Sequence, residues 1–109
     1  MSKLLDILND RFIGKTCVIR SDRAGVFAAK LEAREGTTVY ITEARRLWYW
    51  DGAASLSELS QKGVAAPGTC KFPTKMKELI VEGVLEIIPM TEQAIKAVDE
   101  VPVWGRFKA

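Results

Sequence analysis

Apolar residues recur at two different periods along this chain, and the change of period marks out its elements. Over residues 3–13, Leu4, Leu5, Leu8 and Phe12 fall at helical spacing with Asp6, Asn9, Asp10 and Arg11 on the other side, which predicts an amphipathic helix. Ser2 is placed to cap its start and Gly14 to stop it. From Thr16 the pattern turns strand-like. Thr16 to Ser21 is β-branched and apolar, and Asp22-Arg23-Ala24-Gly25 reads as a turn. Residues 26–34 then alternate, with Phe27, Ala29, Leu31 and Ala33 on one face and Ala28, Lys30 and Glu32 on the other. After a turn at Arg34-Glu35-Gly36, residues 37–42 form a third strand with Val39 and Ile41 inward. Turn signals at this short spacing predict an antiparallel meander that closes into a sandwich or barrel.

The middle of the chain, 44–73, is less regular. It opens on Arg45-Arg46-Leu47-Trp48-Tyr49-Trp50, turns at Asp51-Gly52, and enters a short helix through a Ser55-Leu56-Ser57-Glu58 capping box that Gly63 ends. Pro67-Gly68 marks a loop, and a short strand is expected near Cys70–Phe72, away from a sheet centre because of Pro73. A turn at Glu82-Gly83 joins residues 78–81 to a strand over 84–89. Thr91 caps a helix over 92–98, and Val101 to Phe107 is an extended tail carrying Trp104. The whole is expected to be one domain over 1–109, mainly β with short helices (α+β): a small antiparallel barrel core over about 15–90, an N-terminal helix, an inserted middle helix, and a C-terminal helix plus tail. The tail is apolar enough that it must pack on its own barrel or on a neighbouring subunit.

Composition then narrows the chemistry. A length of 109 residues with 48% hydrophobic and 28% charged residues suits a single folded core. No apolar run approaches the ~20 residues of a membrane span. Asp6 interrupts what a signal peptide would keep apolar, so a cytoplasmic chain is expected. There is no histidine, which removes imidazole acid/base chemistry and most zinc or copper sites. Cys17 and Cys70 are far apart in sequence without a CxxC partner and read as buried small hydrophobes. No carboxylate pair or activated nucleophile stands out, so the expectation is a non-enzymatic protein without cofactor or metal. A net charge of +2 permits an anionic partner without demanding one, and it argues against tight polyanion binding.

Two clusters carry the candidate site. Trp48, Tyr49 and Trp50 are three of nine aromatics in consecutive positions beside Arg45 and Arg46. They fit either core or interface anchors or a stacking platform for a base. Arg20, Arg23, Arg34, Arg45 and Arg46 fall within 27 positions, and across adjacent strands they would either converge on an anion as bidentate forks or form a solvated face. Arg45 and Arg46, as strand neighbours, should point to opposite faces, one toward a ligand and one toward an acid such as Asp51 or Glu43. The candidate ligand-binding set is therefore Arg20, Arg23, Arg45, Arg46, Trp48, Tyr49 and Trp50.

The N-terminal half resembles the Sm-like (LSm) family of small barrels. The resemblance rests on Leu4 to Asn9, Gly14 to Arg20, Phe27-Ala28-Ala29-Lys30-Leu31 and Val39-Tyr40-Ile41-Thr42-Glu43-Ala44, with Val81 to Pro89 similar to the hairpin end of the family's second motif. It implies a five-stranded, strongly bent sheet, so the expected barrel is of Sm-like or SH3-like type. Because edge strands of small barrels pair readily, a homo-oligomer is expected, a ring being one form of it. Ala29 stands where the family has a bending glycine, and the short Gly36-Thr37-Thr38 loop lacks its RNA-stacking and asparagine positions, which argues against uridine-tract binding. The phrase Arg-Arg-Leu-Trp-Tyr-Trp-Asp-Gly-Ala-Ala-Ser-Leu, with Ile19 to Phe27 and Val101-Pro102-Val103-Trp104, resembles a family of small uncharacterised proteins of tailed bacteriophages. That implies a phage or prophage origin, in the cytoplasm of a bacterial host, and brings no activity with it. Three functions stay open: counter-defence by sequestering a nucleotide-type immune signal, such as a cyclic nucleotide, in an arginine and aromatic site; inhibition of a host defence or replication protein; and an Sm-type module for RNA or single strands.

Overall fold

The computed structural model describes residues 11–105. Five strands run β1 (Thr16–Ser21), β2 (Gly25–Glu35), β3 (Thr38–Arg46), β4 (Met76–Val81) and β5 (Val84–Pro89), and two helices are α1 (Leu56–Lys62) and α2 (Glu92–Asp99). All pairings are antiparallel, in the order β4-β3-β2-β1-β5. The protein is thus mainly β, with one five-stranded sheet and two helices. The expected helix over residues 3–13 lies mostly outside the described residues, as does the end of the tail beyond Gly105.

Topology makes the sheet curl. β4 and β5 occupy opposite edges, yet only Glu82 and Gly83 separate them. A two-residue connection spans at most about 10 Å, so the edges must meet at this corner. The Val84 amide donates to the Thr37 carbonyl (2.9 Å), the Asp22 amide to Gly83 (2.9 Å), and the Ser21 hydroxyl to Glu82 (2.7 Å). Gly83, at φ +71°, takes the left-handed conformation this turn needs. The Glu82-Gly83 turn therefore joins two strands as expected, without pairing them as a hairpin.

Both faces of the sheet are covered. Cys17, Ile19, Phe27, Ala29, Leu31, Val39, Ile41, Val81 and Val84, drawn from all five strands, form a core inside the curl. Val18 and Ala28, one position out of phase, belong to a second core with Leu47, Leu59, Val64, Phe72, Val98 and Val101 beneath the helices. Ala28 is therefore buried, against the polar face expected of it. Ala33 is exposed rather than inward, because the β2–β3 register slips between Leu31 and Ala33.

The helices are fixed by their caps. Ser55 Oγ accepts from the Glu58 amide (3.2 Å), while the Glu58 carboxylate reaches back to the Ala54 amide (3.0 Å), one residue beyond the box the sequence predicts. Thr91 Oγ1 accepts from the Ala94 amide (3.1 Å) and donates to the Gln61 carbonyl (2.6 Å), which ties α2 to the end of α1. β3 does not stop at residue 42. It continues to Arg46 through an irregular register opposite Ala29, where Glu43 takes φ +48°. Among the described residues no helix is long and apolar enough to cross a membrane.

Candidate aromatic and lysine site

The strand ends at Arg46, and that decides where the aromatic run goes. Leu47 is buried, Trp48 and Tyr49 are exposed, and Trp50 is half-buried against the outer core. Strict alternation is lost, so Trp48 and Trp50 do not share a face as the strand reading requires. Tyr49 forms an isolated bridge to Lys71, with hydrogen bonds of 3.3 and 2.7 Å between their backbones. Beyond it, Phe72 bridges Val103 in parallel, and the Trp104 amide donates to the Phe72 carbonyl (3.0 Å). Val101, almost fully buried, anchors this segment on its own core.

Three lengths of chain thereby meet at one surface. The Trp48 and Trp104 rings stack with centroids 5.0 Å apart and planes 17° from parallel. Both stay open to solvent, at 59% and 42% exposure. The Lys71 ammonium lies 5.3 Å from the Trp48 ring, 5.7 Å from Tyr49 and 5.6 Å from Trp104. Each distance is within cation–π range. Among the described residues Lys71 forms no ion pair. The cluster thus offers flat apolar faces and one positive charge that no carboxylate among the described residues neutralises.

The arginines do not converge on it. Arg45 is buried, and its guanidinium donates to three backbone carbonyls: Nε to Pro73 (3.1 Å), one terminal nitrogen to Val98 (2.9 Å) and the other to Phe72 (3.1 Å). Burial lowers its pKa, partly offset by Asp99, and it also lies over the Phe72 ring. Arg45 is an internal staple between β3, the 72–73 segment and the end of α2. Arg46 covers the Phe27 ring at 4.5 Å and donates to the Ala24 carbonyl. Neither pairs with Asp51 or Glu43, contrary to the expected division of work: Asp51 accepts from the Thr69 hydroxyl (3.0 Å), and the bulge turns Glu43 onto a small cavity shared with Lys30, Lys75 and Asp99. Arg20 is paired across strands with Glu86 (2.8 Å), and Arg34 donates to Gly36. Arg23 sits exposed beside a shallow cavity at the β4–β5 corner, next to Ile80 and Glu82.

Residues 14–98 match a family model described as a domain of unknown function, DUF6948. The chain belongs to this family. No curated protein and no solved structure is matched by the chain. The DUF6948 match includes Trp48, Tyr49 and Lys71, while Trp104 follows it on the tail segment. Lys71 and Trp104 are the two members of the cluster absent from the sequence-derived site. An apolar tail ending in tryptophan was a visible signal for the second, and nothing local to Lys71 marks the first. Both cysteines are buried and unpaired, and burial pushes the Cys17 thiol up to about 11, which leaves it unreactive at neutral pH. Among the described residues no group of three acids or cysteines is placed to hold a metal ion.

Proposed function

We propose that this DUF6948 protein is a non-enzymatic binding protein that takes a planar, anionic ligand of nucleotide type on the Trp48–Trp104 platform. The carrying observation is the Lys71 ammonium lying on three exposed rings, with no carboxylate partner among the described residues. A base stacks on tryptophan without regard to its edge pattern, at about 1–3 kcal/mol per base, and a lysine beside it supplies a point charge for phosphate. A single such cation suits a small ligand better than a polyanion, in line with the net charge of +2. A cyclic-nucleotide immune signal belongs to this class of ligand. The test is quenching of tryptophan fluorescence by a panel of linear and cyclic nucleotides. Saturable quenching that Trp48→Leu removes supports the reading, and a flat response to the whole panel ends it.

A second reading concerns assembly. The curled sheet fits an Sm-like barrel, whose resemblance carries a homo-oligomer with it. β4 and β5 are edge strands, and each exposes a large apolar side chain, Ile80 at 66% and Leu85 at 56%. Open edges of this kind pair readily with another copy. Light scattering after size exclusion tests it, and a 12.1 kDa species at micromolar concentration contradicts it.

A further inference from the structure

Beside the platform lies a cavity of about 120 Å³ walled by Pro67, Gly68, Cys70, Pro102, Val103 and Trp104. Its two sides come from distant parts of the chain: the 3-10 turn Pro67–Thr69, and the tail segment held by the Phe72–Val103 bridge. Among the described residues no charged side chain lines it. The Cys70 sulfur is already engaged by the backbone of Asp51 and Ala66. The Lys71 ammonium lies 5.6 Å from the ring of the Trp104 wall. A slot with apolar walls and a cation within 6 Å of one wall's ring suits a ligand with a flat apolar part and a negative charge set to one side. Size adds a limit: pockets for drug-sized ligands run about 300–1,000 Å³, so this slot admits little more than one ring system.

We infer that this slot is the base subsite of the ligand site: one planar ring enters against Trp104 while Lys71 meets the attached phosphate. The inference rests on the proposed function and adds a size rule to it. A mononucleotide is held by its ring and its phosphate together, and a second base of a larger ligand stays outside the slot.

Gly68 provides the test, because its φ is outside the left-handed region and a Cβ built on it meets nothing within 4 Å. Gly68→Leu and Gly68→Phe therefore add bulk to a residue that walls the slot without straining the turn, which an unchanged melting temperature verifies. Phenyl phosphate, adenosine 5′-monophosphate and inorganic phosphate are titrated calorimetrically into the full chain and both variants. The two ring-bearing compounds are expected to bind the parent protein at least tenfold more tightly than phosphate alone, and to lose at least tenfold in both variants. If the variants bind them with parental affinity while Trp48→Leu abolishes binding, the slot is refuted and the platform stands. If neither compound binds the parent protein, both the slot and the nucleotide reading fall.

Discussion

Replacing Arg45 with methionine keeps an apolar stem over Phe72 and removes the guanidinium, whose three hydrogen bonds hold Phe72, Pro73 and Val98. Each charge-assisted bond contributes about 1.5–3 kcal/mol, but the three are not additive. The Phe72 carbonyl keeps the Trp104 amide and the Val98 carbonyl keeps the Val101 amide, so among the described residues only the Pro73 carbonyl is left without a donor. The expected cost is therefore about 2–4 kcal/mol rather than the simple sum. For a domain of this size that lowers Tm by about 10–20 °C. Arg45→Lys should recover less than half, because a point charge cannot serve three carbonyls in a planar fork. Urea melts followed by circular dichroism measure both variants. A loss below about 0.5 kcal/mol for Arg45→Met, within the range of ordinary surface changes, would refute the staple and return Arg45 to the ligand-binding candidates.

The other perturbations separate surface from core. Trp48→Ala, at an exposed position, should cost about 1 kcal/mol while abolishing the near-ultraviolet signature of the stacked pair, whereas half-buried Trp50→Ala should cost about 2 kcal/mol and leave that signature intact. Gly63→Ala places a Cβ against Ala97 at φ +79°, and should destabilise the α1–α2 contact by about 2 kcal/mol in thermal melts. Arg20→Lys, in an exposed pair with Glu86, should change stability by less than about 1 kcal/mol. Cys17 is raised in the folded state from 9.0 to about 11, so its contribution is intact below pH 9 and lost as pH rises toward 11. Cys17→Ala should flatten that alkaline decline, and an unchanged decline would assign it to other groups.

Periodicity exposed most of the strands because each has a buried face, and caps exposed both described helices. Its errors come from a second buried face and from register shifts. Alternation assumes a single buried face, while Val18 and Ala28 fill a second core whose lid comes from residues 47–72 and 98–101, too far along the chain for a local pattern to reveal. The bulge at Glu43 likewise carries β3 on to Arg46 and ends it just before Trp48. The aromatic run was legible as unusual, but its partners were not. Lys71 and Trp104 join Trp48 through two isolated bridges that depend on the folded path of the chain. Arginine identity suggested anion binding, and for Arg45 the same fork geometry serves three carbonyls within the protein.

The indole N–H region of a ¹H–¹⁵N spectrum tests the ligand site most directly, since the chain's three tryptophans each give one signal. On addition of adenosine 5′-monophosphate or a cyclic nucleotide, the Trp48 and Trp104 indole signals should move together and saturate, while Trp50, turned toward the core, stays in place. Lys71→Gln should weaken that titration about tenfold or more, the loss of one charge-assisted contact. Static signals for Trp48 and Trp104 across the nucleotide panel, or shifts confined to the β4 and β5 edges, would contradict the account.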